Sequence, residues 1–288
     1  MVEAKLQVKK LFFPIGGGEE LEERIHAALL VNKFFGTHMS IMSCQLDPET
    51  VYNVRMTLRG GIMLNEFLES AKEELETEQK HITHIVKDEC AKLGIEYNED
   101  QHTPNSAFVR NMLGTRSELV EKHSKYTDAV VAAVPPNGVI TGTFEAAVVK
   151  SGKPAIVIPR KMKEFKLDKI LVSLTGSTSS SRALSNALPA IMNAKEVHCI
   201  TAEHYLQEDI AETKGRILNY LDLHGIKADL ELLRTEGKIP GQVLLEKAKE
   251  FGADAIVAGI DTDSGLREIF LGGGSKYFLA NTQIPILL

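Results

Sequence analysis

A run of small, hydroxyl-bearing residues begins the most suggestive segment of this sequence. It covers Thr175–Ser181 (TGSTSSS) and is followed by Arg182. At the start of a helix, such a run presents backbone amides and hydroxyls that can bind an anion, and the arginine adds a positive charge. Ser and Thr are also favoured helix N-caps when no ligand is present. The run alone therefore favours helix capping over ligand binding.

A second candidate loop lies near the end of the sequence. Gly259–Gly265 (GIDTDSG) follows an apolar run, and Gly272–Lys276 (GGGSK) precedes a helical pattern. Three glycines, a hydroxyl and a lysine can form a nest for a phosphate group. The alternative is a flexible loop in which Ser275 caps the helix. If both loops follow neighbouring strands, they converge on one crevice, which strengthens the ligand interpretation.

The matching loops in the first half of the chain differ in chemistry. The apolar run there ends in Val134–Gly138 (VPPNG), and proline lacks the amide that a phosphate nest needs. The earlier loop, Gly16–Gly18, is followed by Glu19 and Glu20, whose charges suit a helix N-terminus and repel phosphate. We therefore expect no phosphate site in the first half.

Other combinations of reactive residues are weak. His81 and His84 share helical spacing with Glu78 and Asp88, a pattern more typical of a solvated helix face than of a metal site. The three cysteines are far apart, and we assign them no chemistry. The sequence lacks GxxxxGK[ST], GxSxG and HExxH. It gives no positive signal for kinase or hydrolase chemistry and predicts no metal site.

The elements that would position these loops recur along the chain. Apolar runs such as Lys169–Leu174, Glu196–Ala202 and Asp254–Ile260 are typical of strands buried on both faces of a parallel sheet. Between them, helical patterns extend from about Ser180 to Asn193, Asp209 to His224 and Pro240 to Phe251. Alternating strands and helices predict a doubly wound α/β sheet.

The order of strands and helices occurs twice. Lys10–Ile15 corresponds to Lys169–Leu174, and the run beginning at Asp128 corresponds to that beginning at Asp254. The sequence distance from Lys10 to Asp128 in the first copy is longer than the distance from Lys169 to Asp254 in the second. The extra residues of the first copy fall between Gln45 and about Asn105. Their Glu, Lys, Leu and Ala content predicts a long or broken amphipathic helix from about Leu58 to Lys92. The sequence leaves open whether this helix covers the first crevice or binds a partner.

Composition and charge exclude several classes of protein. The 288 residues include 43% hydrophobic and 25% charged residues, which is typical of a globular chain. The net charge of −6 argues against broad binding to nucleic acid or to anionic membranes. Met1–Lys10 lacks the apolar segment of a signal peptide, and no apolar stretch is long enough to span a membrane. We expect a soluble, cytoplasmic protein.

The closing segment, Gly252–Leu288, resembles the end of the universal stress protein family. The family motif is Gly-x₂-Gly-x₉-Gly followed by Ser or Thr, and its outer glycines match Gly259 and Gly272. Thr262 and Gly273 replace the second glycine and the hydroxyl residue, while Ser275 matches a further hydroxyl position. Thr175 stands where nucleotide-binding members usually have an aspartate. The spacing is therefore kept, but the motif is incomplete.

This resemblance covers nearly the whole chain and implies two tandem domains. Residues 1–160 would form a first domain with an enlarged helical middle and a degenerate nucleotide motif, and residues 167–288 a second domain with a partly retained motif. Each would hold a five-stranded parallel sheet of order 3-2-1-4-5, as in the adenine nucleotide α-hydrolase-like fold. Arg160–Lys166 (RKMKEFK) is interpreted as a short charged linker.

The family resemblance also implies a ligand and a pairing between the domains. ATP or another adenine nucleotide would bind the second domain, with Mg²⁺ only if the nucleotide is ATP. The last strands, Ala155–Ile158 and Ile284–Leu287, would pair within the chain as a pseudo-dimer, and a homodimer remains open. The residues predicted to bind the nucleotide are Thr175, Gly176, Ser177, Ile200, Gly259, Asp261, Thr262, Gly272, Gly274, Ser275 and Lys276.

Three functions are compatible with these observations. The leading hypothesis is a non-catalytic or weakly catalytic stress-response module, whose nucleotide state is sensed by protein partners. The second is a scaffold or sensor that has lost nucleotide binding, because Thr175, Thr262 and Gly273 depart from the family motif. The third is a slow ATPase of the related superfamily, against which the lack of a paired base and nucleophile argues.

Overall fold

The computed structural model describes residues 8–16, 18–49, 61–202, 210–234, 237–259 and 275–288. The first half of the described chain contributes six strands and the second half five. The strands are β1 (Lys10–Ile15), β2 (His38–Gln45), β3 (Glu96–Tyr97), β4 (Ser106–Leu113), β5 (Ala129–Ala133), β6 (Ala155–Ile158), β7 (Lys169–Ser173), β8 (Glu196–Ala202), β9 (Ala228–Leu233), β10 (Ala255–Val257) and β11 (Ile286–Leu287).

Helices alternate with these strands over most of the chain. They are α1 (Leu21–Phe35), α2 (Gly61–Leu93), α3 (Arg116–Ser124), α4 (Gly142–Glu145), α5 (Thr178–Asn193), α6 (Ile210–Leu223), α7 (Pro240–Phe251) and α8 (Ser275–Asn281). A 3₁₀ turn, Pro136–Gly138, follows β5, and a π-helical turn, Ala146–Lys150, continues α4. The three helices predicted for the second half are thus present as α5, α6 and α7.

All eleven strands belong to one sheet. Its order is β3-β4-β2-β1-β5-β6-β11-β10-β7-β8-β9. Within each half the main strands follow the predicted order 3-2-1-4-5, and the two-residue β3 adds an edge strand beside β4. The predicted α/β fold class is therefore confirmed. The strand order reverses between β1 and β5 in the first half and between β7 and β10 in the second.

The two halves are joined by the expected pairing of their last strands. β6 and β11 run antiparallel, with Ile286 opposite Val157 and Leu287 opposite Ile156. Beyond the strand ends, Ala155 and Leu288 exchange two backbone hydrogen bonds of 3.2 and 2.9 Å. This is the one antiparallel pairing in the described sheet. It covers two strand edges that would otherwise be open to other chains.

A hydrophobic core covers each face of the sheet. Successive side chains of a strand point to opposite faces, so Leu11 and Phe13 belong to one core and Phe12 to the other. Each core continues across the β6–β11 pairing and includes residues from both halves, such as Ile170 on one face and Leu171 on the other. The apolar strand runs seen in the sequence are explained by this double burial.

The segment Arg160–Lys166 links the two halves and also contributes side chains to the core. Met162 and Phe165 are buried in the core, and the Phe165 ring packs edge-on against Phe34 with 5.0 Å between ring centroids. Ion pairs of this segment include Lys161 with Glu20 and Lys166 with Glu164. The interpretation as a charged linker is therefore incomplete, because two apolar side chains of this segment are buried and Phe165 packs against the end of α1.

The long helix of the first half is present as one element. α2 spans Gly61–Leu93, while the predicted start near Leu58 lies outside the described residues. Its C-terminal part packs on α1 and β4, and Ile82, Val86 and Cys90 are buried there. Glu89 lies on the same buried side, so α2 belongs to the core of the first half along its last turns.

Candidate functional site

The second-half crevice lies at the carboxyl ends of β7 and β10, where the strand order reverses. Such switch points are where open α/β sheets bind ligands, because neighbouring loops diverge there. The loop after β7 contains Thr175, Gly176 and Ser177, and Gly259 follows β10. The topology therefore places four of the predicted binding residues at one end of two adjacent strands.

The hydroxyl groups of the loop after β7 form hydrogen bonds with one another and with the start of α5. The Thr175 and Ser177 hydroxyl oxygens are 2.9 Å apart, and Ser177 is also 2.9 Å from the Ser179 hydroxyl. Ser177 caps α5 by accepting from the Ser180 amide at 3.2 Å, and the Thr175 amide donates to the Ser180 hydroxyl at 3.1 Å. Gly176 adopts a φ of 74°, which favours glycine. Capping of α5 thus already uses these hydroxyls.

Gly259 lies against the first turn of α5. A Cβ atom at this position would be 2.4 Å from the Ser180 amide nitrogen and 2.6 Å from the Ser179 carbonyl carbon. Both atoms are backbone and cannot move aside as a flexible side chain could. Glycine is therefore required for the end of β10 to approach the start of α5 this closely.

The remaining predicted residues lie in different parts of the structure or outside the described residues. Ile200 lies in β8 and is fully buried in the core. Ser275 begins α8, and Lys276 follows it with an exposed side chain. Arg182, which the sequence suggested as a nearby charge, lines a separate cavity with Gly152 and Leu288. Outside the described residues are Asp261, Thr262, Gly272 and Gly274.

The buried cysteines are not reactive groups in this fold. Burial raises the pKa of Cys199 to about 12, and the nearby Asp229 charge acts in the same direction. Cys44, in the corresponding strand β2 of the first half, also has its pKa raised to about 12 by burial, although Arg116 acts in the opposite direction. Because the thiolate is the nucleophilic form, both thiols stay protonated and inert at neutral pH.

The first-half crevice is held open by a proline in β1. The Lys10 carbonyl accepts from the Asp128 amide, so the alternate residues Phe12 and Pro14 also face β5. Pro14 has no amide to donate, and the β1–β5 pairing stops after Phe12 opposite Val130. Beyond that point the strands border a cavity of about 490 Å³.

Three arginines line this cavity: Arg24, Arg116 and Arg160. The sequence draws attention to the loops at Gly16–Glu20 and Val134–Gly138 but not to these arginines. The arginines come from α1, from the start of α3 and from the segment after β6. No local motif joins positions so distant in sequence; only the switch-point geometry does.

In the part of the chain that the structure describes, no group of three or more His, Cys, Asp or Glu residues is placed to hold a metal ion. Among the described helices, none combines the length and apolar character needed to cross a membrane.

Solved structures share this architecture across the whole chain. A universal stress protein from Archaeoglobus fulgidus superposes with a TM-score of 0.64, at 15% identity over 96% of this chain and 94% of that one. A functionally unknown protein from Pseudomonas aeruginosa superposes with a TM-score of 0.52, at 11% identity over 98% and 92%. No protein-family model and no curated protein matches the sequence. At these identities the likeness shows that the chain has the universal stress protein fold.

Proposed function

We propose that this chain is a stress-response module whose second-half crevice binds ATP or another adenine nucleotide. The observation that supports it most directly is the contact of Gly259 with the first turn of α5. With no side chain at this position, Gly259 lies against the backbone of Ser179 and Ser180, which directly follow the Thr175–Ser177 loop at the switch point. A ligand there would meet backbone amides and hydroxyls from two strand ends.

Four of the predicted residues have distinct parts in this proposal. Thr175, Gly176 and Ser177 would line the nucleoside side, and their hydroxyls would exchange present hydrogen bonds for bonds to the ligand. Lys276 would supply a positive charge for the phosphates, since its side chain is exposed at the start of α8. Mg²⁺ would enter only together with ATP, bridging phosphate oxygens. Partner proteins would then respond to the loaded or empty crevice.

Isothermal titration of the full chain with ATP and AMP tests this function. We expect saturable binding that weakens about tenfold in Lys276→Ala, because a charge-assisted hydrogen bond to phosphate is lost. Lys214→Ala removes an equally exposed lysine from α6 and should leave the affinity unchanged. Absence of binding by both nucleotides at millimolar concentration would refute the proposal.

A nucleotide-free scaffold is the second candidate, and the hydroxyl network favours it. Ser177 already caps α5 and contacts both Thr175 and Ser179, so the loop is satisfied without a ligand. A scaffold would act through protein partners alone. Gly272→Arg places a bulky side chain in the predicted phosphate loop, and an unchanged response to nucleotide in this variant would favour the scaffold.

A slow ATPase makes a different prediction. Phosphate release from ATP should then be measurable and should disappear in both Lys276→Ala and Asp261→Ala. Binding without phosphate release would leave the non-catalytic module as the better description.

A further inference from the structure

The first-half crevice collects positive charge from three separate parts of the chain. Arg24 projects from α1, Arg116 begins α3, and Arg160 follows β6, and all three line the cavity beside Pro14. Among the described residues that line it, Glu19 is the one acidic side chain. Assembling like charges costs free energy, so a cluster of this kind indicates a site for a negatively charged ligand.

Arg116 is the most available of the three. Its Nε donates to the Cys44 carbonyl oxygen at 2.8 Å, which fixes the guanidinium above the loop after β1. A Cβ atom on Gly16 would lie 2.9 Å from the Arg116 Cζ, so glycine lets the guanidinium lie against this loop without a shift of the side chain. Among the described residues, none has a carboxylate paired with Arg116, and the Arg116 side chain contributes to the cavity lining.

Backbone carbonyl oxygens accept hydrogen bonds from both Arg24 and Arg160. Arg24 donates to the carbonyl oxygens of Gly16 and Gly18, and Arg160 to those of Glu19 and Val134. Burial and the neighbouring Arg160 charge lower the pKa of Arg24 to about 10, with a smaller effect of Arg116 in the same direction. The side chain remains protonated at neutral pH; burial is the largest cause of the shift and repulsion from the Arg160 charge the second, while Glu20 and Glu23 act in the opposite direction.

The two glutamates of the loop do not block the crevice. Glu20, the residue expected to repel phosphate, pairs with Arg160 at 2.5 Å and with Lys161 at 3.0 Å. Its pKa is lowered by the hydrogen bonds from these two cations. Glu19 is exposed at the rim, and the group it gives to Arg160 is its backbone carbonyl. Arg116 therefore keeps its charge uncompensated by either carboxylate.

The other walls define the rest of the ligand. Thr141, Thr143 and Asn137 border the cavity after β5 and offer hydroxyl and amide groups. Apolar side chains, including Ile15 and Phe144, complete the lining. The volume of about 490 Å³ is within the range of small-molecule sites. These lining residues fit a small organic molecule that carries polar substituents and one terminal oxyanion.

We propose that the first-half crevice binds a small organic anion, with a phosphate or carboxylate group held between Arg24, Arg116 and Arg160. Arginine suits this role because its planar guanidinium donates in pairs to oxyanions. The site uses side chains from distant elements, in contrast to the glycine-rich loop proposed for the second half. It therefore does not depend on nucleotide binding in the second-half crevice.

Calorimetric titration of the full chain with inorganic phosphate, AMP and malonate tests the site. We expect at least one probe to bind and its affinity to fall at least about tenfold in Arg116→Ala. Arg110→Ala, which removes an exposed arginine of β4, should leave the affinity unchanged. Glu19→Gln removes the one acidic side chain at the rim and should tighten binding about two- to fivefold.

The outcomes separate the two crevices and the two kinds of anion. Binding by phosphate or AMP that Arg116→Ala abolishes and Lys276→Ala leaves intact assigns a phosphate ligand to the first half. Binding by malonate alone with the same response assigns a carboxylate ligand. Absence of binding by all three probes at millimolar concentration overturns the proposal, as does binding that is unchanged in both Arg116→Ala and Glu19→Gln. Loss of AMP binding only in Lys276→Ala would support the second-half site, and it would contradict this one if the binding of phosphate and of malonate were also unchanged in Arg116→Ala.

Discussion

At the scale of single residues, Gly138 allows a close contact between the two halves. It ends the 3₁₀ turn after β5 with a φ of 68°, and a Cβ atom there would lie 2.2 Å from the Lys276 carbonyl oxygen. The same turn borders the first-half cavity through Asn137, while Lys276 is the second residue of α8. A single glycine therefore permits the contact between the turn beside the first-half cavity and α8.

We predict that Gly138→Ala destabilises the protein by more than about 2 kcal/mol, because it adds a backbone clash to the cost of a left-handed conformation. Gly225→Ala is the matched control, since Gly225 has a φ of 72° but open space around its Cβ position. That variant should lose only about 1–2 kcal/mol. Urea unfolding measures both free energies, and equal losses would show that the contact with Lys276 carries no energy.

At the scale of elements, α2 is fixed to α1 by a buried carboxylate. Glu89 is only 2% exposed and contacts His26 Nδ1 at 2.6 Å and Lys92 Nζ at 2.5 Å. It lies beside Val86 and Cys90, which are also buried. The cavity of the first-half crevice has no described α2 residue in its lining. The sequence left open whether this insertion covers the first crevice or binds a partner. The described part of α2 does not support the first of these roles.

The pKa of Glu89 predicts how this anchor depends on pH. Burial alone would raise the pKa, but hydrogen bonds from Lys92 and His26 outweigh it and lower the pKa below the ordinary value of 4.5. A lowered pKa in the folded state adds stability above the unfolded-state value and loses it as the pH falls through the folded-state value.

Glu89→Gln should therefore cost about 1–2 kcal/mol of unfolding free energy at pH 7. The difference from the wild type should shrink as the pH falls below about 4.5, where the wild-type carboxylate takes up a proton. Urea unfolding at several pH values measures this. A difference that stays constant down to acid pH would show that packing, and not the charge of Glu89, holds α2.

At the scale of the whole molecule, a short pairing makes one sheet from two halves. β11 contributes only Ile286 and Leu287, yet it joins β6 on one side and β10 on the other. Ile286 is fully buried in a core that contains residues of both halves. Stability should therefore be shared between the halves through this strand.

Ile286→Ala should destabilise the protein by about 2–5 kcal/mol, because it leaves a cavity where two halves share a core. Leu223→Ala, at an exposed position, should change the unfolding free energy by less than about 0.5 kcal/mol. Thermal unfolding followed by circular dichroism checks both, and the Ile286 variant should separate into two transitions if the halves uncouple. A small effect for Ile286→Ala would show that the halves are stable independently.

The sequence by itself determined the repeating α/β architecture of this protein. Continuous apolar runs such as Lys169–Leu174 identify strands buried on both faces, and Pro240 and Gly252 bracket α7. These signals are local, because each depends on backbone conformation and burial within one element. For the same reason the loop after β7 and the cap residue Ser177 could be predicted, as hydroxyls at helix starts act over a few residues.

The tertiary structure alone decided what surrounds each crevice. Arg24, Arg116 and Arg160 converge only because the carboxyl ends of β1 and β5 separate at Pro14, and no local pattern encodes a meeting of distant residues. The burial of Met162 and Phe165 in a charged segment and the contact of Gly138 with α8 have the same origin. Periodicity determines which face of an element is buried, whereas the packing of elements determines which side chains share a cavity.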